Sequence, residues 1–177
     1  MARIGFTGTV SCGKTTLVNA LKQLPEFANY HFATERSKYL RDLGIPLNGD
    51  STLKGQTIFL AERASELMYD NLITDRTIID VTAFTYLANS IEHCQSYQFD
   101  RLASFMLPEY DYVFYVSPDG VEIEDNGVRT TDAEYRRLLD NKIRDVLFTH
   151  MNKITKYVEL SGSVEERVRK VRQVVGI

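Results

Sequence analysis

The stretch from residue 8 to residue 15 carries the residue types that bind phosphate. It reads GTVSCGKT and fits the pattern G-x-x-x-x-G-K-[ST] at every fixed position. Glycines let the backbone wrap around an anion with its N–H groups inward, and the N-terminus of a following helix adds a favourable dipole. In this pattern the Lys14 ammonium reaches the β- and γ-phosphates, and the Thr15 hydroxyl binds Mg²⁺. The sequence therefore predicts a site for a nucleoside triphosphate, lined by Gly8, Thr9, Val10, Ser11, Cys12, Gly13, Lys14, Thr15 and Thr16.

Two carboxylate–arginine pairs come directly after predicted strands. Glu35 and Arg36 follow a strand over residues 30–34, and Asp75 and Arg76 follow a strand over residues 71–74. In open parallel sheets, ligands bind beyond the carboxyl ends of the strands. A carboxylate there accepts a proton from an acceptor hydroxyl or orients Mg²⁺, and an arginine offsets phosphoryl charge or binds substrate. We therefore expect both pairs to lie near the phosphates.

Asp75 and Asp80 compete for the role of the carboxylate that orients Mg²⁺. Asp75 ends a predicted strand, whereas Asp80 falls where the next helix should already have begun. We prefer Asp75, so the predicted metal ligands are Thr15 and Asp75. The three histidines are scattered and indicate no metal cluster.

The segment over residues 117–131 is the candidate lid. It is polar, it contains Gly120 and Gly127, and it has little apolar material to hold it down. Phosphoryl transfer needs water to be excluded, and a flap bearing Arg129 can close over the phosphates and supply positive charge. Arg136 and Arg137, which follow it, are interpreted as surface residues that can add to that charge.

Strands and helices alternate along the whole chain. Besides the two already given, we predict strands over residues 3–7, 112–116 and 157–160, with the first strand in the centre. Apolar spacing predicts helices over residues 14–24, 51–69, 78–91, 99–107, 131–150 and from 163 onward, with a short helical stretch through Leu40. This alternation implies a single α/β domain over residues 1–177, with a five-stranded parallel sheet and helices on both faces.

Composition limits the class and the partners. With 177 residues, 44% hydrophobic and 25% charged, the chain is typical of one globular domain. Its formal net charge of −3 disfavours a general nucleic-acid partner, since such proteins usually carry a basic face. Cys12 and Cys94 are too few for a disulfide framework. No apolar run reaches membrane-spanning length and no signal-peptide pattern is present, so we expect a cytoplasmic protein without a membrane partner.

With these motifs in view, the chain resembles the P-loop kinases of nucleosides and nucleotides. The likeness rests on the phosphate-binding stretch, Glu35-Arg36, Asp75-Arg76-x-x-x-Asp80 and Gly127-x-Arg129. It spans nearly the whole chain, from Ile4 to the ending Ser161-Gly162-Ser163-x-x-Glu166-Arg167. It is closest to the subgroup that contains the ribosylnicotinamide kinase domain and small phage-type ATPase/kinase proteins. Only the phosphate-binding stretch is highly specific, and the other motifs gain weight from their order.

The resemblance implies roles for individual residues. Lys14 and Thr15 would bind ATP with Mg²⁺, and Asp75 would be the catalytic or Mg²⁺-orienting carboxylate. Glu35 falls where deoxynucleoside kinases keep a carboxylate near the acceptor hydroxyl, although Glu35-Arg36 departs from their Glu-Pro pair. The implied catalytic set is Lys14, Glu35, Asp75, Arg76 and Arg129, and the implied substrate-binding set is Glu35, Arg36 and Arg76.

Three functions are compatible with these residues. The leading hypothesis is transfer of the ATP γ-phosphate to a small acceptor: a nucleoside, a nucleoside monophosphate or nicotinamide riboside. The alternatives are an ATPase without a small acceptor and a kinase of a hydroxylated base in phage DNA. A regulatory GTPase is disfavoured, because Asn152-Lys153 lacks the Asp that completes the guanine-reading motif. A homodimer is left open.

Overall fold

The computed structural model describes residues 1–34, 37–122 and 132–177. Glu35, Arg36 and residues 123–131, which include Arg129 and most of the predicted lid, lie outside the described residues. The five strands are β1 Arg3–Thr7, β2 His31–Ala33, β3 Leu72–Asp75, β4 Tyr112–Val116 and β5 Tyr157–Leu160. Their order across the sheet is β2-β3-β1-β4-β5, and every neighbouring pair is parallel. The predicted five-stranded parallel sheet with a central first strand is confirmed.

Helices cover both faces of this sheet. Within the described ranges they are α1 Lys14–Lys22, α2 Ser37–Asp42, α3 Leu53–Glu66, α4 Ile78–Leu87, α5 His93–Ser104, α6 Ala133–Thr149 and α7 Val164–Val175. One apolar core joins α3, α4, α5 and α6 to the sheet, and the other joins α1 and α7 to its opposite face. In β4, Val113 and Tyr115 belong to the first core, whereas Phe114 and Val116 belong to the second. A strand buried on both faces is apolar throughout, as β4 is.

The helices between β3 and β4 differ from the prediction. The first was predicted to reach residue 91 but α4 ends at Leu87, and the second was predicted from residue 99 but α5 begins at His93. Ala88 is extended, and its neighbour Asn89 donates its backbone N–H to the Gly49 carbonyl. Glu92 and Gln95 then form a capping box that starts α5. The prediction was wrong here because the usual Ser or Thr of this box is replaced by Glu.

None of the described helices is both long and apolar enough to cross a membrane.

Candidate active site

The phosphate-binding stretch forms a tight loop between β1 and α1. Gly8, Ser11 and Gly13 have φ values of 150°, 53° and 87°. Positive φ favours glycine, and two of these three residues are glycine. A Cβ on Gly8 would lie 2.6 Å from the Val116 carbonyl oxygen, so a larger residue would displace β4. Gly13 is the N-cap of α1 and contributes no side-chain cap. With no side-chain cap from Gly13, α1 begins in the manner of a helix whose N-terminus binds an anion.

Lys14 lies inside this loop. Its side chain is buried, and its ammonium donates to the Gly8 carbonyl at 2.6 Å and to the Thr9 carbonyl at 2.8 Å. Lys14 also lines a small pocket together with Val10, Ser11, Cys12, Gly13, Asp75 and Arg76, which we call the phosphate pocket. The loop carbonyls thus hold the positive charge at the position where the pattern requires it.

Asp75 and Thr15 meet beside this pocket. The β1–β3 register pairs Asp75 with Phe6, which places the carboxylate next to the end of β1. The Thr15 hydroxyl donates to Asp75 Oδ2 at 2.5 Å, while Asp75 Oδ1 is buried with no hydrogen-bond partner in the described part of the chain. A hydroxyl and a carboxylate oxygen are oxygen donors of the kind that Mg²⁺ binds directly or through water. These two side chains fit the ion that a nucleoside triphosphate carries.

Arg76 has a strained backbone. Its φ is 109°, which a non-glycine residue adopts only when its surroundings hold it there. Its carbonyl accepts a hydrogen bond from Arg63 Nη1 at 3.3 Å and lies 2.9 Å from the Thr74 hydroxyl, and its N–H donates to the Phe6 carbonyl. The guanidinium lies 5.1 Å from the centroid of the Phe84 ring. Strain of this kind is concentrated at binding sites, and here it directs an arginine toward the phosphate pocket.

Arg63 itself belongs to a buried ion pair. Its Nη2 donates to Glu66 Oε1 at 2.6 Å, and both side chains are largely buried. The same guanidinium also donates to the Arg76 carbonyl, so a side chain of α3 holds the backbone at Arg76 in place. Sequence analysis did not identify Arg63.

Asp80 has a structural role. Its Oδ2 accepts from the Thr77 N–H at 2.8 Å in the capping box that starts α4, and its Oδ1 accepts from the Gly8 N–H at 3.3 Å. Asp80 Oδ1 also lies 3.9 Å from Arg76 Nη1. The carboxylate therefore joins the start of α4 to the start of the phosphate loop, whereas Asp75 is the one that lies beside Thr15.

This arrangement predicts that Asp80→Ala acts mainly on stability. Removing a fully buried carboxylate that accepts backbone N–H bonds should lower the free energy of unfolding by about 1.5–3 kcal/mol. Urea unfolding followed by circular dichroism measures this change, and the exposed Asp145→Ala is the matched control. An Asp80→Ala protein as stable as the wild type would show that these bonds contribute nothing.

An apolar cleft opens next to the phosphate pocket. It is lined by Val10, Ser37, Leu47, Asn48, Ser51, Gln56, Phe59, Arg76, Val81 and Phe84. Gln56 is only 3% exposed, and its side chain is part of the lining of this cleft. An amide in an otherwise largely apolar lining can donate to and accept from a ligand, so Gln56 is a candidate polar contact for a ligand in the cleft.

A further hydroxyl lies near Arg76. Tyr135 on α6 has a buried oxygen with no hydrogen-bond partner among the described residues. Burial raises the pKa of this phenol to about 12, and the charge of Arg76 acts in the opposite direction. Tyr135 is therefore neutral at physiological pH and retains a proton to donate.

A second cleft lies on the other side of the phosphate loop, against α7. Its lining includes Gly13, Thr15, Thr16, Asn19 and the loop that follows β5, and we call it the α7 cleft. Arg167 of α7 also lines it, and its guanidinium donates to the Cys12 carbonyl at 2.8 Å. The two clefts approach the phosphate loop from different directions.

The residues predicted from sequence fall into three groups. Lys14, Asp75 and Arg76 line one pocket, and Thr15 lies beside it because its hydroxyl donates to Asp75. Thr9 and Thr16 do not line that pocket: the Thr9 hydroxyl donates to the Arg136 carbonyl, and Thr16 lines the α7 cleft. The third group lies outside the described residues and comprises Glu35, Arg36 and Arg129.

Sequence analysis missed Gln56 and Arg63, and it named Arg167 only as part of a terminal motif. A signal was available, because each is a polar residue on the apolar face of its helix. Gln56 and Arg63 lie at helical spacing with Leu60, and Arg167 lies beside Val171 in the same way. A polar side chain at such a position must be satisfied in the interior, which makes it a candidate for a structural or binding role.

A parallel sheet of this order, with a phosphate-binding loop between the central strand and its helix, defines a P-loop nucleotide-binding protein. A family model described as an AAA domain matches residues 3–167, and the chain belongs to that family. A search of curated proteins found no match. Among the solved structures similar to this chain are three P-loop proteins, each of which is less than a fifth identical to it.

Deoxyadenosine kinase from M. mycoides with bound dCTP is 17% identical, with a TM-score of 0.66 over 98% of each chain. Thymidylate kinase from Candida albicans is 14% identical, with a TM-score of 0.71 over 99% of this chain and 91% of that one. NadR protein in complex with NAD and AMP-PNP is 15% identical, with a TM-score of 0.74 over 99% of this chain and 50% of that one. The fold is thus that of the P-loop nucleoside and nucleotide kinases, as the resemblance implied.

Proposed function

We propose that the protein transfers the γ-phosphate of ATP to a small acceptor that carries a nucleoside. The observation that carries this proposal is the contact between two sites. Val10 and Arg76 line both the phosphate pocket and the apolar cleft, so a ligand in the cleft would face the end of a polyphosphate in the loop. An ATPase without an acceptor has no need of the apolar cleft beside the phosphate pocket.

The donor nucleotide would lie along the loop and α1. Its base and ribose would occupy the α7 cleft, and its phosphates would pass over the N-terminus of α1 toward Lys14. Mg²⁺ would be held by the Thr15 hydroxyl and oriented by Asp75, where it would offset charge on the transferring group. Lys14 and Arg76 would then stabilise the negative charge of the phosphoryl group as it moves.

The acceptor would lie in the apolar cleft. Phe59 and Phe84 supply aromatic surface for a flat base, and the Gln56 amide supplies one donor group and one acceptor group side by side. Such an amide pairs with a base edge, or with a carboxamide, that presents the complementary pair. Arg76 at the inner end of the cleft would direct the acceptor hydroxyl or phosphate toward the donor.

Acceptor-dependent formation of ADP tests this function. The purified protein is incubated with Mg²⁺-ATP and, in turn, with nucleosides, nucleoside monophosphates and nicotinamide riboside. We expect one class to raise ADP release well above the rate without acceptor and to yield a phosphorylated product by mass spectrometry. ADP release that no acceptor changes would favour the plain ATPase, and product only with a hydroxylated oligonucleotide would favour the DNA-base kinase.

Gln56→Leu should weaken acceptor binding more than ATP binding. The substitution keeps the volume of the side chain and removes both of its hydrogen-bonding groups, so the acceptor KM should rise about 10- to 100-fold. Steady-state kinetics with acceptor and with ATP varied separately measure the effect. The exposed Gln98→Leu is the matched control. An unchanged acceptor KM in folded Gln56→Leu would remove this amide from the acceptor site.

A further inference from the structure

The carbonyls of residues 8–12 in the phosphate loop accept hydrogen bonds from cationic side chains. Lys14 holds those of residues 8 and 9, and Arg136 of α6 holds those of residues 10 and 11 at 3.2 and 3.0 Å. Arg167 of α7 holds the next one, the Cys12 carbonyl, at 2.8 Å. Three cationic side chains from separate parts of the chain thus donate hydrogen bonds to five successive carbonyl groups, at residues 8–12.

A trans peptide unit places its C=O and its N–H on opposite sides. The Cys12 carbonyl and the Gly13 N–H belong to one such unit, so the bond from Arg167 to Cys12 directs the Gly13 N–H away from α7. That direction is toward the concave side of the loop, where an anion binds. The same reasoning applies to Arg136 and the two peptide units before Cys12.

Arg167 is buried, and no carboxylate of the described residues pairs with it. Its side chain is 2% exposed, and within the described ranges its guanidinium donates only to two backbone carbonyls, those of Cys12 and Ser117. Its Nε is also buried with no hydrogen-bond partner there. A buried positive charge that no carboxylate balances is costly, and an anion bound close by would reduce that cost.

The guanidinium is also close to the place where phosphate would lie. A Cβ built on Gly13 would be 3.1 Å from Arg167 Nη1, which places the charge directly behind the N-cap of α1. Arg167 adds its charge to the dipole of that helix from a position shielded from water. It acts through the loop, because the described bonds of its guanidinium all go to backbone.

From these observations we propose that Arg167 is a positioning residue for the polyphosphate of the donor nucleotide. It fixes the Cys12–Gly13 peptide unit so that the Gly13 N–H is directed at a phosphate, and it supplies a buried positive charge behind the loop. This inference rests on the proposed function, since it requires that the loop binds a nucleoside triphosphate. It gives α7, which is distant in the chain from the loop, a direct part in nucleotide binding.

Nucleotides with one, two and three phosphates test this role. The affinities of AMP, ADP and ATP are measured by isothermal titration calorimetry with Mg²⁺ for the wild type, Arg167→Met and Arg167→Lys. Arg167→Met keeps the apolar stem but loses the charge and the two N–H groups that donate to the Cys12 and Ser117 carbonyls. ADP and ATP should therefore bind about 10- to 100-fold more weakly, while the affinity for AMP should change much less. Arg167→Lys keeps the charge, so its affinities for ADP and ATP should lie between those of the wild type and those of Arg167→Met. Arg169→Met removes an exposed charge from the same helix and should match the wild type.

Each outcome bears on the proposal. Equal loss of AMP and ATP affinity in Arg167→Met would show a general structural defect and would overturn it, as would unchanged ATP affinity. Should Arg167→Met fail to fold, Arg167→Lys decides, because a wild-type ratio of ATP to AMP affinity in that variant contradicts the positioning role. A wild-type protein that binds no ATP would instead refute the proposed function.

Discussion

Lys14→Ala is expected to lower the rate of phosphoryl transfer from ATP by at least about 10²- to 10³-fold. The lysine ammonium is held inside the loop by the Gly8 and Thr9 carbonyls, beside the pocket in which the β- and γ-phosphates would lie. In the proposed reaction its charge would offset the negative charge that builds up as the γ-phosphoryl group leaves. The initial rate of ADP formation at saturating ATP and acceptor measures the loss.

Two controls separate this effect from damage to the fold. Lys22→Ala removes an exposed lysine at the far end of the same helix and should leave the rate unchanged. Lys14→Met retains the apolar stem that fills the loop and should lose as much activity as Lys14→Ala, with a melting temperature near that of the wild type. A folded Lys14→Ala protein that turns over normally would be incompatible with phosphoryl transfer at this loop.

Asp75→Asn is expected to lower kcat about 10- to 100-fold while changing the Kd for ATP much less. Asparagine retains an oxygen that accepts from the Thr15 hydroxyl, so the pairing of the two side chains survives. It removes the negative charge that would orient Mg²⁺ in the proposed reaction, where the position of the ion would matter most as charge moves onto the leaving group. Turnover measured against Mg²⁺ concentration should show half-maximal activity at a higher concentration in the variant.

The control for Asp75→Asn is Asp145→Asn, which makes the same change at an exposed position of α6. Asp80→Asn gives a second comparison, because Asp80 lies at the start of α4 and its effect should appear first in stability. Normal kcat and normal Mg²⁺ dependence in Asp75→Asn would assign the metal-orienting role elsewhere.

The sequence by itself determined the sheet and the phosphate loop. β4 is apolar at every position because it is buried on both faces, and the loop needs glycine where φ is positive and a Cβ would meet β4. Such features are local, since they depend on a few adjacent residues and on the backbone conformation each residue allows. The boundaries of α4 and α5 were not predictable in this way, because Asn89 is held by a distant carbonyl and Glu92 is an unusual cap.

Only the tertiary structure showed which polar side chains meet. The sequence favoured Asp75 over Asp80 from its place at a strand end, but only the packed structure gives their contacts. The β1–β3 register sets Asp75 beside Thr15, and the α4 capping box sets Asp80 beside the Gly8 N–H. Arg167 is a single polar residue on an apolar helix face, and the carbonyls that it binds, those of Cys12 and Ser117, lie far away in the chain. Sequence spacing fixes what a short segment can form, whereas the meeting of distant side chains depends on how the whole chain packs around its two cores.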